Sequence, residues 1–148
     1  MENKELIIKL RNETGAGVMD AKNMLAQFNG DYEKAKAVLL KLGLAKASKK
    51  SDREVKAGLV ESYIHMGRVG ALVKISCETD FVAKTKEFQA LAKEVAMQVS
   101  AMDPKNTGEL LKSPYIRDSK KTIEDLVKET IAKVGENIQV SDFARFEV

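Results

Sequence analysis

His65 and Cys77 are the single histidine and the single cysteine of this 148-residue chain, so they form its one possible thiol–imidazole pair. A nucleophilic cysteine needs an imidazole within hydrogen-bond reach and surroundings that favour the thiolate. Glu78 and Asp80 flank the thiol, and negative neighbours raise a thiol pKa rather than lowering it. Cys77 therefore reads as a buried structural residue, and His65 as a satisfied strand residue rather than a base or ligand. Glu78 and Asp80 make a carboxylate pair, but no second acid or nucleophile stands near them in sequence. No catalytic residue, metal-ligand set or cofactor site is expected. One cysteine excludes both an intrachain disulfide and a multi-cysteine metal site, and fits a reducing compartment.

The same stretch marks a strand-to-helix corner. Cys77-Glu78-Thr79-Asp80-Phe81-Val82-Ala83 follows an apolar run, Val69 to Ile75, that reads as a strand. It precedes a helical pattern over about 82–101 with Phe88, Leu91, Ala92, Val95 and Val99 on one face. Thr79 or Asp80 then stands where a helix start needs a side-chain oxygen to accept orphan amide hydrogens. From spacing alone, the favoured reading of Phe81 is a core residue behind that cap. The alternative is a ring and an anion presented together at a strand-to-helix corner, as a wedge for another protein's surface.

The elements that must hold this corner fall into two groups. Leu6, Ile7 and Leu10 share a helical face over 4–12, and Thr14-Gly15-Ala16-Gly17 breaks the pattern. A second helix over about 18–28 carries Met19, Leu25 and Phe28 and stops at Asn29-Gly30. Asp31 can cap a third helix bearing Ala35, Val38, Leu39 and Leu42, closed by Gly43. Residues 1–44 thus form a three-helix module, and residues 45–57, with Lys46, Lys49, Lys50 and Arg53, form a basic linker. Residues 58–148 read as an α+β core. Leu59 to His65 and Val69 to Ser76 make a hairpin across Met66-Gly67-Arg68. Residues 103–120 hold both prolines and read as an irregular connection; a helix over about 122–134 ends at Gly135, and Ile138 to Val148 is a final strand. The fold class expected is α+β, with three antiparallel strands and packed helices behind the N-terminal module.

Composition narrows the partners. The chain is 44% hydrophobic and 32% charged, yet its net charge is only +3, which describes a mixed surface rather than one built for polyanions. The basic run at 46–53 is interrupted by Asp52, and aromatics are sparse, so no direct nucleic-acid contact is expected. The Thr14-Gly15-Ala16-Gly17 turn lacks the lysine and glycine spacing of a phosphate-binding loop. No apolar run reaches the ~20 residues of a membrane span. The N-terminal residues resemble neither a signal peptide nor a transit segment, so a cytoplasmic location is expected. Met19, Met24, Met97 and Met102 suit either an adaptable surface or gap-filling in an aromatic-poor core.

Three separated motifs carry a resemblance. Cys77-Glu78-Thr79-Asp80-Phe81-Val82-Ala83 is similar to the signature of the elongation factor Ts family, guanine-nucleotide exchange factors of elongation factor Tu. Leu10-Arg11-Asn12-Glu13-Thr14-Gly15-Ala16-Gly17-Val18-Met19-Asp20-Ala21-Lys22 with Asn29-Gly30-Asp31-Tyr32-Glu33-Lys34-Ala35 agrees near the N-terminus. Ile131-Ala132-Lys133-Val134-Gly135-Glu136-Asn137-Ile138 leading into Phe143-Ala144-Arg145-Phe146 agrees near the C-terminus.

The resemblance implies that the first module is ubiquitin-associated-like. It implies a protein that binds elongation factor Tu, GDP-bound or nucleotide-free, and performs no bond chemistry. Phe81 would enter a pocket between helices of the GTPase. Asp80 would disturb the Mg²⁺ water shell without becoming a ligand, while Thr79 and Val82 hold the corner. Leu10, Arg11, Thr14, Gly15, Ala16 and Gly17 would dock the module. Family members generally carry a second subdomain or a helical insertion between the long helix and the Gly-Glu-Asn motif, where this chain has only residues 103–120. A shortened core with an exposed sheet face or edge makes a homodimer an expected arrangement. An adaptor of the ubiquitin-associated type, binding a partner without nucleotide exchange, is the competing function.

Overall fold

The computed structural model describes residues 2–148. The N-terminal module is α1 (Glu2–Thr14), α2 (Val18–Gln27) and α3 (Tyr32–Ser48). Asp31 caps α3 by accepting the Lys34 N–H at 3.2 Å, and Asn29 and Gly30 both take positive φ at the end of α2. Leu10, Ala21, Leu25, Ala35 and Leu39 make the module's own small core. Tyr32 staples α3 to α1 by donating to the Glu13 carboxylate at 2.5 Å, and Lys36 joins the same carboxylate at 2.9 Å. Met19, expected on the packed face of α2, is 61% exposed, and Ala21 takes the inward position instead.

Gly43 does not close α3. The helix runs on to Ser48, and Ala47 is buried in the core of the second layer. A glycine is accommodated mid-helix because α7 (Ile123–Val134) crosses there: a Cβ on Gly43 would lie 3.2 Å from the Ala132 Cβ. Residues 45–48, expected in the basic linker, are therefore the last turn of a packed helix.

The second layer is an antiparallel sheet of β1 (Ala57–His65), β2 (Val69–Cys77) and β5 (Ile138–Glu147), in the order β1-β2-β5. Met66 and Gly67, both at positive φ, turn β1 into β2, and the Arg68 N–H donates to His65 O at 3.0 Å. Strand alternation sends Ala71, Val73, Ile75 and Cys77 to the inner face. α5 (Lys86–Met102) covers that face with Phe88, Leu91, Ala92, Val95 and Val99, all buried, so the apolar stripe read from sequence is the packed one. α7 completes the core. Its Thr122–Asp125 capping box satisfies two orphan amides, and Gly135 ends it in the left-handed region.

Two expected stretches differ. The helix expected from about residue 82 is two helices, α4 (Asp80–Ala83) and α5, separated at Lys84–Thr85. Thr85 caps α5 by accepting the Phe88 N–H at 3.3 Å, which draws the chain out of helical geometry at that point. Residues 103–120 are not irregular throughout. They hold α6 (Thr107–Lys112), capped by Asn106, and begin a small hairpin of β3 (Pro114–Tyr115) with β4 (Asp118–Thr122). Gln98, fully buried on α5, anchors that hairpin by donating to Pro114 O at 2.8 Å and accepting the Ile116 N–H at 3.0 Å.

Candidate functional site

The corner between β2 and α4 is built from two motifs far apart in sequence. Thr79, extended at φ −130°, caps α4 by accepting the Val82 N–H on its hydroxyl at 3.4 Å. Its own N–H and hydroxyl donate to the two carboxylate oxygens of Glu136 at 3.0 and 2.8 Å. Reciprocally, the Asn137 N–H donates to the Glu78 carboxylate at 2.7 Å. The left-handed Gly135 at the end of α7 turns the chain so that Glu136 and Asn137 reach the corner. Arg53 approaches Glu78 at 3.7 Å. The Asn137 side chain, 2% exposed residue by residue, donates to Ser51 O at 3.3 Å and Arg53 O at 2.8 Å.

Within α4 the side chains divide sharply. Val82 and Ala83 are buried against the core, which turns Asp80, Phe81 and Lys84 outward. Phe81 is 82% exposed. Fully burying such a ring would contribute about 1.5–3 kcal/mol to folding, and this fold does not use it. The core reading of Phe81 favoured by spacing is thereby corrected: Val82 occupies the inward position. An exposed aromatic on a fixed backbone, beside an exposed carboxylate, has the character of an interface anchor.

Cys77 is fully buried beneath the corner, with its thiol donating to Thr79 O at 3.2 Å. Burial, then the nearby Glu136 carboxylate, pushes the thiol pKa up, which disfavours the thiolate that a nucleophilic cysteine needs. His65 pairs with Val69 and Cys77 with Ala57, at opposite ends of the hairpin. About eight residues of strand separate them, roughly 27 Å at strand rise. The His65 ring instead meets the Tyr63 hydroxyl, 3.0 Å from its Nδ1. No group of three or more His, Cys, Asp or Glu side chains among the described residues could hold a metal ion.

The N-terminal docking candidates separate by burial. Leu10 is fully buried in the module's core, and Thr14, 3% exposed, donates from its hydroxyl to Leu10 O at 2.6 Å. Gly15, at φ +74°, lies so close to α7 that a Cβ would stand 2.7 Å from Ala132 O. Leu10 and Thr14 fix the turn within the module, Gly15 sets it against α7, and Ala16 packs partly on the module's core. Arg11 and Gly17 are exposed, and they are joined by Val18 (49%) and Met19 (61%). The sequence reading sets Met19 on the packed face of α2 and gives Val18 no surface role, so it missed both as surface groups. It also missed Glu136 and Asn137 as parts of the corner. Their place in the Gly-Glu-Asn motif, just past a helix end, was the available signal.

A family model described as "Elongation factor TS" matches residues 78–148, beginning at the corner itself. Among curated proteins, the chain is similar to Elongation factor Ts of Caldanaerobacter subterraneus subsp. tengcongensis, 42% identical over 99% of this chain and 96% of that protein. It is similar to Elongation factor Ts of Fervidobacterium nodosum, 38% identical over 97% of this chain and 96% of the relative. It is similar also to Elongation factor Ts of Thermoanaerobacter sp. (strain X514), 40% identical over 99% and 95%. These alignments run over 190–193 positions, more than the 148 residues present here, so the relatives carry internal residues that this chain lacks.

Proposed function

The chain belongs to the elongation factor Ts family of translation elongation factors, and from that premise we propose that it binds elongation factor Tu and promotes release of GDP. The observation that carries this reading is Phe81, an aromatic ring 82% exposed on a corner whose backbone is held by Val82 below and Glu136 beside it. The ring enters a pocket between helices of the GTPase and shifts them. Asp80, one residue before it and exposed, approaches the region that supports the Mg²⁺ water shell and loosens the metal without ligating it. No bond is made or broken on this chain; it acts by binding and is not an enzyme. A translation factor of this kind works in the cytoplasm, where that partner acts.

Exchange follows from differential binding. The factor must hold nucleotide-free elongation factor Tu more tightly than the GDP complex, and linkage then requires that it weaken GDP by the same factor. A coupling of about 4 kcal/mol corresponds to roughly a thousandfold. A wedge and a disturbed metal shell together are of that order. The N-terminal module supplies the second contact through its exposed rim of Arg11, Gly17, Val18 and Met19. A ubiquitin-associated-like adaptor without exchange activity would bind the GDP-bound and nucleotide-free partner equally. Release of a fluorescent GDP analogue from elongation factor Tu, with and without this protein, distinguishes the two.

The outer face of the sheet supports the further expectation of a homodimer. Register places Val60, Lys74 and Asp142 in one row, Ser62, Leu72 and Ala144 in the next, and Ile64, Gly70 and Phe146 in a third. Val60 is 65%, Ile64 69%, Leu72 51% and Phe146 79% exposed, a contiguous apolar surface. A second copy related by a twofold axis and packed on this face would cover it.

A further inference from the structure

Phe81 is useful as a wedge only if it leaves the surface in one direction, yet its own ring packs on nothing that would fix it. α4 is a single turn of four residues, too short to hold its geometry unaided. The restraint lies one residue earlier. Every polar backbone and side-chain group of Thr79 is engaged. Its N–H and hydroxyl go to Glu136, its hydroxyl oxygen also accepts from Val82, and its carbonyl accepts from the Cys77 thiol and the Ala83 N–H. Two of these contacts reach the same carboxylate by different oxygens, which defines orientation as well as distance. The next residue, Asn137, extends the restraint by joining Glu78 to the carbonyls of Ser51 and Arg53.

The geometry points to Glu136 as a positioning residue for exchange, one that fixes the direction of Phe81 through Thr79 without itself touching the partner's nucleotide site. This inference rests on the wedge reading of Phe81. The Glu136–Thr79 contact lies at an exposed surface, where it adds little to global stability. Its consequence is pre-organisation: a corner that is already ordered does not have to be ordered during binding.

A double-mutant cycle tests it. Glu136→Gln keeps the size but lets only one oxygen accept, and the amide cannot accept the second bond. Exchange on elongation factor Tu should fall roughly tenfold, the effect of losing one charge-assisted hydrogen bond. The melting temperature should hardly move. In a Phe81→Ala background, Glu136→Gln should have no further effect, because there is no ring left to aim. Glu136→Asp, which keeps the charge but draws the carboxylate back from Thr79, should reproduce the same non-additivity and serves if Glu136→Gln folds poorly. If Glu136→Gln slows exchange equally in both backgrounds, or slows it in neither, the positioning role is overturned while the wedge stands. If Phe81→Ala alone exchanges GDP as well as the unmodified protein, the wedge fails, and the positioning role fails with it.

Discussion

Asn137→Ala removes the side chain that hydrogen-bonds the segment after α3 to the corner, leaving there the longer Arg53–Glu78 ion pair at 3.7 Å. Asn137 is 2% exposed, and its amide donates to two backbone carbonyls, Ser51 O and Arg53 O. Both lose a partner, at about 0.5–1.5 kcal/mol each, and the truncated site adds a small packing loss. The Asn137 N–H contact to Glu78 survives because it is made by the backbone. The expected loss is about 2–3 kcal/mol, which for a chain of this size lowers the melting temperature by roughly 6–10 °C. The loss is also local. Lys49, Arg53 and Lys56 are already exposed, and freeing the backbone between them should make this stretch the first place trypsin cuts. Thermal melting beside limited trypsin digestion reads both effects. A variant that melts within roughly 1 °C of the parent and shows no faster cleavage at residues 49–56 would refute the tether.

Gly15→Ala should cost about 2–4 kcal/mol, since it combines a left-handed backbone with a Cβ 2.7 Å from Ala132 O. Gly30→Ala, at φ +84° but with nothing within 4 Å, should cost only about 1 kcal/mol; equal losses by thermal melting would mean that the contact with α7 is unimportant. Tyr115, whose hydroxyl donates to Glu94, has its pKa pushed up to about 12 by burial first and that hydrogen bond second. Because the folded value is raised, its contribution to stability is fully present below pH ~10 and is lost as pH climbs toward 12. Ultraviolet titration of tyrosinate, compared with Tyr115→Phe, should show the missing step near 12; a step near 10 contradicts it. Sedimentation at micromolar concentration should show a dimer that Leu72→Glu dissociates, and a monomeric parent protein would remove the case for a second copy on the outer sheet face.

Legibility in the sequence followed periodicity and stopped where periodicity carries no information. Val69 to Ile75 is an apolar run rich in β-branched residues, and Phe88, Leu91, Ala92, Val95 and Val99 recur at helical spacing, so both strand and helix could be read. The break at Thr85 could not, because Phe81 stands seven residues before Phe88, on the same face of one continuous helix, and only a side-chain cap divides the two. Gly43 was misread as a stop for a complementary reason: the close approach of Ala132 that accommodates it comes from a helix some ninety residues later. α6 and the β3–β4 hairpin are too short to set up a rhythm, and they depend on Gln98, a polar residue buried among apolar neighbours. At the site, Thr79 as a cap was readable from local chemistry. Its partner Glu136 was not, since a polar contact across fifty-seven residues leaves no local pattern. The exposure of Phe81 was likewise decided by which of two adjacent residues, Phe81 or Val82, turned inward.

The most direct measurement of the central claim is the rate at which a fluorescent GDP analogue leaves elongation factor Tu, taken beside the melting temperature of each variant added. The unmodified protein should accelerate release, and Phe81→Ala should slow that accelerated rate by an order of magnitude or more. Its melting temperature should stay within a few degrees, because a side chain 82% exposed contributes little to folding, about 0.5 kcal/mol or less. A Phe81→Ala protein that melts normally and still accelerates release at the full rate would contradict the account.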